Sequence, residues 1–528
     1  MYYNSSFEYN ECVAKGACSI SPNISSMQEV MYILFRQTAF YLLKLIDLNV
    51  RKQDIIKNII KEIAVIDSAR DFSESQILDS FSKQYVNLVI CRKEYLKICK
   101  ENNVKCEDLK NLVKFSPNTS LSEILKKGDK EFLSKYKKLN FEKKYIAEIL
   151  RSIIKSVCSN LVSLYELGKI SEIPENKVLK AINLFNSNRI LFDTMKQYID
   201  DLAREDINLL KSINELRSEK YGVCKKTEVS FSTRPNKAIM VSGSNFEDLA
   251  LLLKFAEDKD IDIYTNGNLL ISHAFPYFKD FKNLKGHFGS GSFNSILDFA
   301  TFPGAILLTK NEVQNIEYLY RGRLFTTDDV AAKGVIRINN NDFLPLINSA
   351  LQAKGFAKAH DSASVDVGYD ESELDLVLDK IISENPERIF IIGHSNLSMS
   401  QKDYFKSFFS NLPSNSWVIS FSYNPLNIEN VYSLNVANDY PMIYGILHKI
   451  FKKIPVTSEK FVFFLTKCDV NSLSNIINLK NSGAKHIYLS ECPPTVINPA
   501  VLRAFNKIYG INPITNPSND LKKLKEEL

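Results

Sequence analysis

The sequence predicts an α/β protein, with an N-terminal helical bundle followed by two Rossmann-like, doubly wound parallel sheets. Three observations carry that expectation. Residues 26 to 220 keep a helical period almost without interruption. From about Glu228 short runs rich in Val, Ile, Phe and Tyr take over, at AIMVS, IDIY, AILL, VIRI, RIFII, WVISF, FVFFL and HIYLS, mostly spaced by helix-length amphipathic segments. A polar stretch without a clear period, Gly355 to Glu371, divides that half in two. The domains expected are therefore 1–224, 225–358 and 359–528.

Taken in order, Ser26 with Glu29 has the pattern of a capping box, and MYILFRQTAFYLLKLIDL after it is apolar enough to lie between other helices. QILDSFSKQYVNLVICRKEYLKICKE and FEKKYIAEILRSIIKSVCSNLVSLYELGK continue the bundle, with Gly168 as a C-cap and Pro174 in a turn. The helices of NKVLKAINLFNSNRILFDTMKQYIDDLAREDINLLKSINELRSEKYG complete it. In the second half the β-rich runs end in Gly, Ser, Asn or Thr. That is how a parallel sheet presents a site, since ligands sit beyond the carboxyl ends of its strands.

Composition narrows the function. With 528 residues, 45% hydrophobic and 24% charged, the chain is a multidomain globular protein. The net charge of +6 is small, and the Lys-rich pieces (Lys126 to Lys144, Lys522 to Lys525) alternate with acids, so no nucleic-acid face is expected. The N-terminus lacks the pattern of a signal peptide. The most apolar helix, Met27 to Leu48, carries Glu29, Arg36 and Lys44, so no membrane span is expected. Nine unevenly spread cysteines suit a reducing cytoplasm better than a disulfide framework. No G-x-S-x-G occurs, which removes the commonest α/β-hydrolase reading.

Several motifs in series carry a resemblance. SGSNFEDL, DIYTNGNLLISHAFP, GHFGSG, FPGAILLTKN, GRLFTTD, GVIRI, DFLPLINSAL and GAKHIYLSECPPTVINPAVL, in that order, are similar to those of the hybrid-cluster proteins. This is the prismane or hydroxylamine reductase family, related to carbon monoxide dehydrogenases. The resemblance implies a prismane-like fold, a cubane cluster near the N-terminus, and a mixed iron–sulfur–oxygen cluster held by cysteines, carboxylates and a histidine. The activity it implies is reduction of hydroxylamine or nitric oxide.

The chain departs from that pattern at nearly every ligand. Ser244 stands for the family's histidine, Asn268 for a ligand carboxylate, and Glu312 for the cysteine of its TTNC. The persulfide-bearing cysteine falls at or near Ser395, beside His394, and two further cysteines fall near Ser422 and Asn438. Asp469 is the one conservative match. These cleft residues (Ser244, Asn268, Glu312, His394, Ser395, Asp469) are the catalytic candidates. No cysteine occurs between Cys224 and Cys468, so a cluster needing several thiolates from that span is not expected.

Cys12 and Cys18 match the last two cysteines of the cubane motif, whose first two have no counterpart. The expectation is one [4Fe-4S] cluster shared across a homodimer and served by a redox partner protein; the competing reading is two ordinary reduced thiols. Cys468, Asp469 and Cys492, with Glu491, Glu312 and His394, follow strands and offer mixed donors for one divalent metal. Against this stands a vestigial polar cleft with buried cysteines and Cys492 held by the turn at Pro493-Pro494. For GHFGSGS (Gly286, Gly289, Gly291) a tight turn is expected over an anion cradle. His273 and His287 are expected to hydrogen-bond in the core, and Arg321 and Arg323 to form ion pairs at a domain interface.

Overall fold

A computed structural model describes residues 22–66, 72–115, 119–137, 141–187, 190–289, 295–309, 320–393, 399–413, 415–421, 431–466, 470–489 and 505–526. The chain forms two compact units. The first comprises Met1–Leu209, Asp329–Lys333 and Pro494–Ile508; the second comprises Leu210–Asp328, Gly334–Pro493 and Tyr509–Leu528.

The first unit is helical: α1 (Pro22–Asp47), α2 (Gln53–Ile66), α3 (Glu74–Glu101), α4 (Leu121–Lys137), α5 (Phe141–Glu166), α6 (Glu172–Leu184) and most of α7 (Phe192–Tyr221). Buried side chains surround α1 on nearly every side, among them Val30, Met31, Leu34, Phe35, Thr38, Tyr41 and Leu45. A helix apolar around its circumference has to be central, and α1 packs against α3, α4 and α6. Its one interior carboxylate is neutralised in place: Arg151 of α5 donates to Glu29 at 2.5 Å while lying over the Tyr32 ring at 3.9 Å.

The helix begins at Pro22, so Ser26 lies inside its second turn and bonds Asp129 instead of capping. Pro174 likewise sits in the first turn of α6, where proline's missing N–H has no intrahelical acceptor to lose. Gly168 ends α5 as expected, at φ 79° with its N–H on Tyr165 O at 2.9 Å.

The second unit holds two six-stranded sheets. One contains β2 (Lys237–Ser242), β3 (Ile261–Asn266), β4 (Leu284–His287), β5 (Ala305–Leu308), β6 (Leu324–Thr326) and β7 (Ile336–Arg337), in the order β4-β3-β2-β5-β6-β7. The other contains β9 (Arg388–Ile392), β10 (Ser416–Ser420), β11 (Val431–Ser433), β12 (Phe461–Leu465), β13 (His486–Leu489) and β14 (Asn512–Pro513), in the order β11-β10-β9-β12-β13-β14.

Every pairing in both is parallel. Counted within each sheet, both orders are the Rossmann sequence 3-2-1-4-5-6. Strands covered by helices on both faces read as continuous apolar runs, and β3, β5, β9, β10 and β13 are buried along their length. The polar break before Glu371 contains a strand: β8 (Val365–Val367) pairs antiparallel with β1 (Thr227–Val229).

Candidate functional site

In a doubly wound sheet the crevice for a ligand opens where the strand order reverses. Here that is between β2 and β5, and again between β9 and β12. The sequence candidates divide between these places. Ser244 follows β2, and Asn268 lies in the 3-10 turn Gly267–Ala274 after β3. Glu312, His394, Ser395, Asp469, Cys468 and Cys492 lie outside the described residues, as do Cys12, Cys18, Ser422, Glu491 and Gly291.

The β2/β5 crevice is closed by its own hydrogen bonds. Thr309, one residue past β5, donates its backbone N–H and its hydroxyl to Ser242 O, at 2.8 and 3.1 Å. Its hydroxyl oxygen accepts the N–H groups of Ser244 and Asn245, at 3.1 and 3.2 Å. These N–H groups point where an anion would sit at the start of a helix, and Thr309 already occupies them.

Asn245 then caps α8 (Phe246–Phe255), its side-chain oxygen accepting from Glu247 N and Asp248 N. Next door, Ser242 Oγ donates to Asn266 Oδ1 at 2.8 Å, and Asn266 Nδ2 donates to Phe288 O at 2.8 Å. Asn268 Oδ1 accepts from Asn438 Nδ2 at 3.4 Å. Ser244, Asn268 and Asn438 are thus brought to one region, all as neutral side chains.

Gly243 allows the closure. It holds φ 123°, and a Cβ there would stand 2.3 Å from both Thr309 O and Thr309 Oγ1. Gly243→Ala is expected to lower stability by roughly 1–3 kcal/mol through backbone strain, read as a fall in the denaturant midpoint of the second unit.

The two histidines behave as core residues. The Thr265 hydroxyl lies 2.8 Å from His273 Nε2 and 2.9 Å from His287 Nδ1. Neutral rings suit this bridge, one donating to the hydroxyl and the other accepting from it. Desolvation pushes the His273 imidazole down to about 4, and His287, also beside His273, down to about 3. Of GHFGSGS, Gly286 lies in β4, and Gly289 holds φ 95°, where a Cβ would meet Asp298 Oδ2 at 2.3 Å.

Arg323 corrects the expectation of an ion pair. It donates to Phe302 O, to Gly304 O at 2.7 Å and to Phe299 O at 3.1 Å. The free carbonyls where α9 (Ser295–Thr301) ends recruit the guanidinium before any carboxylate does. Thr309 and Asn266, which organise the crevice, were not singled out by the sequence; their signal is the small polar residue ending each strand.

Comparison with known proteins follows the same lines. Residues 8–422 match the model of the Prismane/CO dehydrogenase family. A hydroxylamine reductase of Thermodesulfovibrio yellowstonii is 24% identical over 538 residues, 98% of each chain. One from Clostridium perfringens is 22% identical over 541 residues, 97% of this chain and 96% of its own. One from Syntrophobacter fumaroxidans is 30% identical over 324 residues, 58% of this chain and 59% of its own. Among solved structures, alpha subunits of acetyl-CoA synthase/carbon monoxide dehydrogenase with NiZn[Fe4S4] and NiNi[Fe4S4] clusters align at TM-score 0.47 and 11% identity, covering 96% of this chain and 83% of that one.

Proposed function

The chain belongs to the Prismane/CO dehydrogenase family, and from that premise we propose an oxidoreductase by descent whose interior hybrid-cluster site has been dismantled. Any redox role then rests on one iron–sulfur cluster near the N-terminus. The observation that carries this is the donor set at the β2/β5 crevice. Ser244, Asn268 and Asn438 supply hydroxyl and amide groups, where such a cluster calls for thiolates, carboxylates or an imidazole. The Ser244 N–H and the Asn268 amide oxygen already hydrogen-bond Thr309 and Asn438. With no cysteine between Cys224 and Cys468, these residues do not fit a hybrid cluster, and no hydroxylamine chemistry is derived through one.

Cys12 and Cys18 are the residues that would hold the remaining cluster, two thiolates from each of two chains, and such a cluster supplies one-electron transfer. A homodimer and a redox partner protein belong to this reading. Protein purified without oxygen is expected to contain about two irons per chain, to bleach with dithionite, and to lose both iron and colour in Cys12→Ser. Oxidation of a reduced viologen dye is expected to show no hydroxylamine-dependent rate above the blank. Sustained hydroxylamine turnover would overturn the dismantled site. A folded, colourless, iron-free wild-type protein would overturn the cluster and favour a non-catalytic binding or scaffold protein that keeps the fold.

A further inference from the structure

Away from the sheets, the end of α3 turns back on itself and brings two cysteines together. Val104 N donates to Cys99 O at 3.0 Å, across a turn in which Asn103 takes φ 53°. Two residues on, the Cys106 thiol donates to Val104 O at 3.9 Å. Glu107 N then donates to the Tyr95 hydroxyl at 3.2 Å, one helical turn before Cys99. Cys106 therefore lies between Val104, which bonds the Cys99 carbonyl, and Glu107, which bonds Tyr95 one turn earlier on the helix.

The return segment is pinned on its far side as well. Asp108 accepts from Arg92 at 2.5 and 3.1 Å, and Glu107 pairs with Lys44 at 2.5 Å. The return segment thus sets the Cys106 side chain beside those of Cys99 and Tyr95, whose charges it feels. Both cysteines are free, Cys99 buried and Cys106 partly exposed.

We propose that Cys99 and Cys106 form a reversible intramolecular disulfide by exchange with a low-molecular-weight disulfide, Cys106 attacking and Cys99 resolving. The Cys106 thiolate attacks one sulfur of the reagent, whose S–S bond breaks and releases a thiol that takes up the proton Cys106 gave. The mixed disulfide at Cys106 is then attacked by the Cys99 thiolate, which expels the second reagent thiol with the second proton. Two protein thiols are oxidised and one disulfide is reduced to two thiols, with no net change in protons.

Exposure sets the order, because Cys106 is partly exposed and its neighbour Cys99 is buried. The product would bind the return segment covalently to α3. At neutral pH the reduced pair is slow, since the neighbouring Cys99 thiol chiefly, with burial, pushes the Cys106 thiol up to about 11. The rate of exchange is thus expected to climb about tenfold per pH unit as the thiolate fraction grows.

The test equilibrates the full chain in mixtures of reduced and oxidised glutathione, blocks free thiols by alkylation, and maps tryptic peptides by mass spectrometry. Lys100 and Lys105 lie between the two cysteines, so trypsin separates them unless a disulfide joins them. The expected result is a linked Cys99–Cys106 peptide pair that dithiothreitol releases, with Cys91, fully buried, unmodified. Cys99→Ser is expected to accumulate glutathione on Cys106, and Cys106→Ser to leave Cys99 unmodified. If either variant fails to fold, quenching the wild type early is expected to trap glutathione on Cys106 and none on Cys99. No linked pair in excess oxidised glutathione, or equal labelling of the two cysteines, would overturn the proposal.

Discussion

Asp439→Ala is expected to destabilise the second unit by roughly 3–5 kcal/mol, because it leaves a buried guanidinium without its counter-charge. Arg217, near the end of α7, donates to Asp439 Oδ1 at 2.6 Å, and the two side chains are 7% and 4% exposed. The guanidinium also lies over Phe246, the first residue of α8, at 4.2 Å. The other carboxylate oxygen, Oδ2, accepts from Met442 N at 3.0 Å and so caps α10 (Tyr440–Lys453).

One side chain thus closes a charge and starts a helix, and losing the cap adds about 1 kcal/mol. Removing both charges, as Arg217→Met with Asp439→Leu, is expected to recover most of the loss but not the cap. The single tryptophan, Trp417 in β10, lies in the same unit and is buried, so its fluorescence against denaturant reads the midpoints of all three proteins. Equal midpoints for wild type and Asp439→Ala would contradict the ion pair.

The same pair positions the crevice. Asp439 follows Ala437 and Asn438, which hold φ 48° and 65° without being glycines. Conformations of that kind persist only where the surroundings over-determine them. The buried ion pair on one side and the bond from Asn438 to Asn268 on the other supply that restraint.

Much of this architecture was legible in the sequence. A strand buried on both faces must be a continuous apolar run, so AIMVS, IDIY, AILL, RIFII and FVFFL each announced a central strand. VIRI, WVISF and HIYLS likewise marked β7, β10 and β13, and the remaining strands had no such run. β4, β6, β11 and β14 are two to four residues long, too short for a period to show, and β14 ends on Pro513, which suits only a sheet edge. β8 was hidden for a related reason: paired only with β1, it needs no second apolar face.

Within the site, chemistry local in sequence could be read and chemistry across the fold could not. Ser244 and Asn268 were found as departures from a motif, and Asn245 caps a helix three residues before an acid. Thr309 meets Ser244 across 65 positions and Arg217 meets Asp439 across 222. Only the parallel register, which sets Ser242 beside Leu308, brings the first of these together. Arg323 was misread because its partners are carbonyls, which every residue carries and no side-chain pattern marks.

The second large effect is acid sensitivity of the middle sheet. His273 and His287 hold folded values of about 4 and about 3 against an ordinary 6.5, both lowered chiefly by desolvation. An unfolded chain therefore takes up protons below pH 6.5 that the folded chain refuses, and stability falls as pH drops from 6.5 toward those folded values. Each pH unit is about 1.4 kcal/mol per group. Lowering the pH from neutrality to about 5 should thus cost about 2 kcal/mol per imidazole, roughly 4 kcal/mol for both.

Buried Glu62 in the helical unit works in the opposite sense. Desolvation raises its carboxyl, so the penalty of holding it charged is relieved as pH falls. Reading the second unit through Trp417 keeps the two trends apart. His287→Asn places an amide oxygen where Nδ1 met Thr265 and removes one titration. It is expected to be less stable than wild type at neutral pH, with about half the loss between neutral pH and about 5. An unchanged pH slope in that variant would mean that His287 does not carry the acid sensitivity.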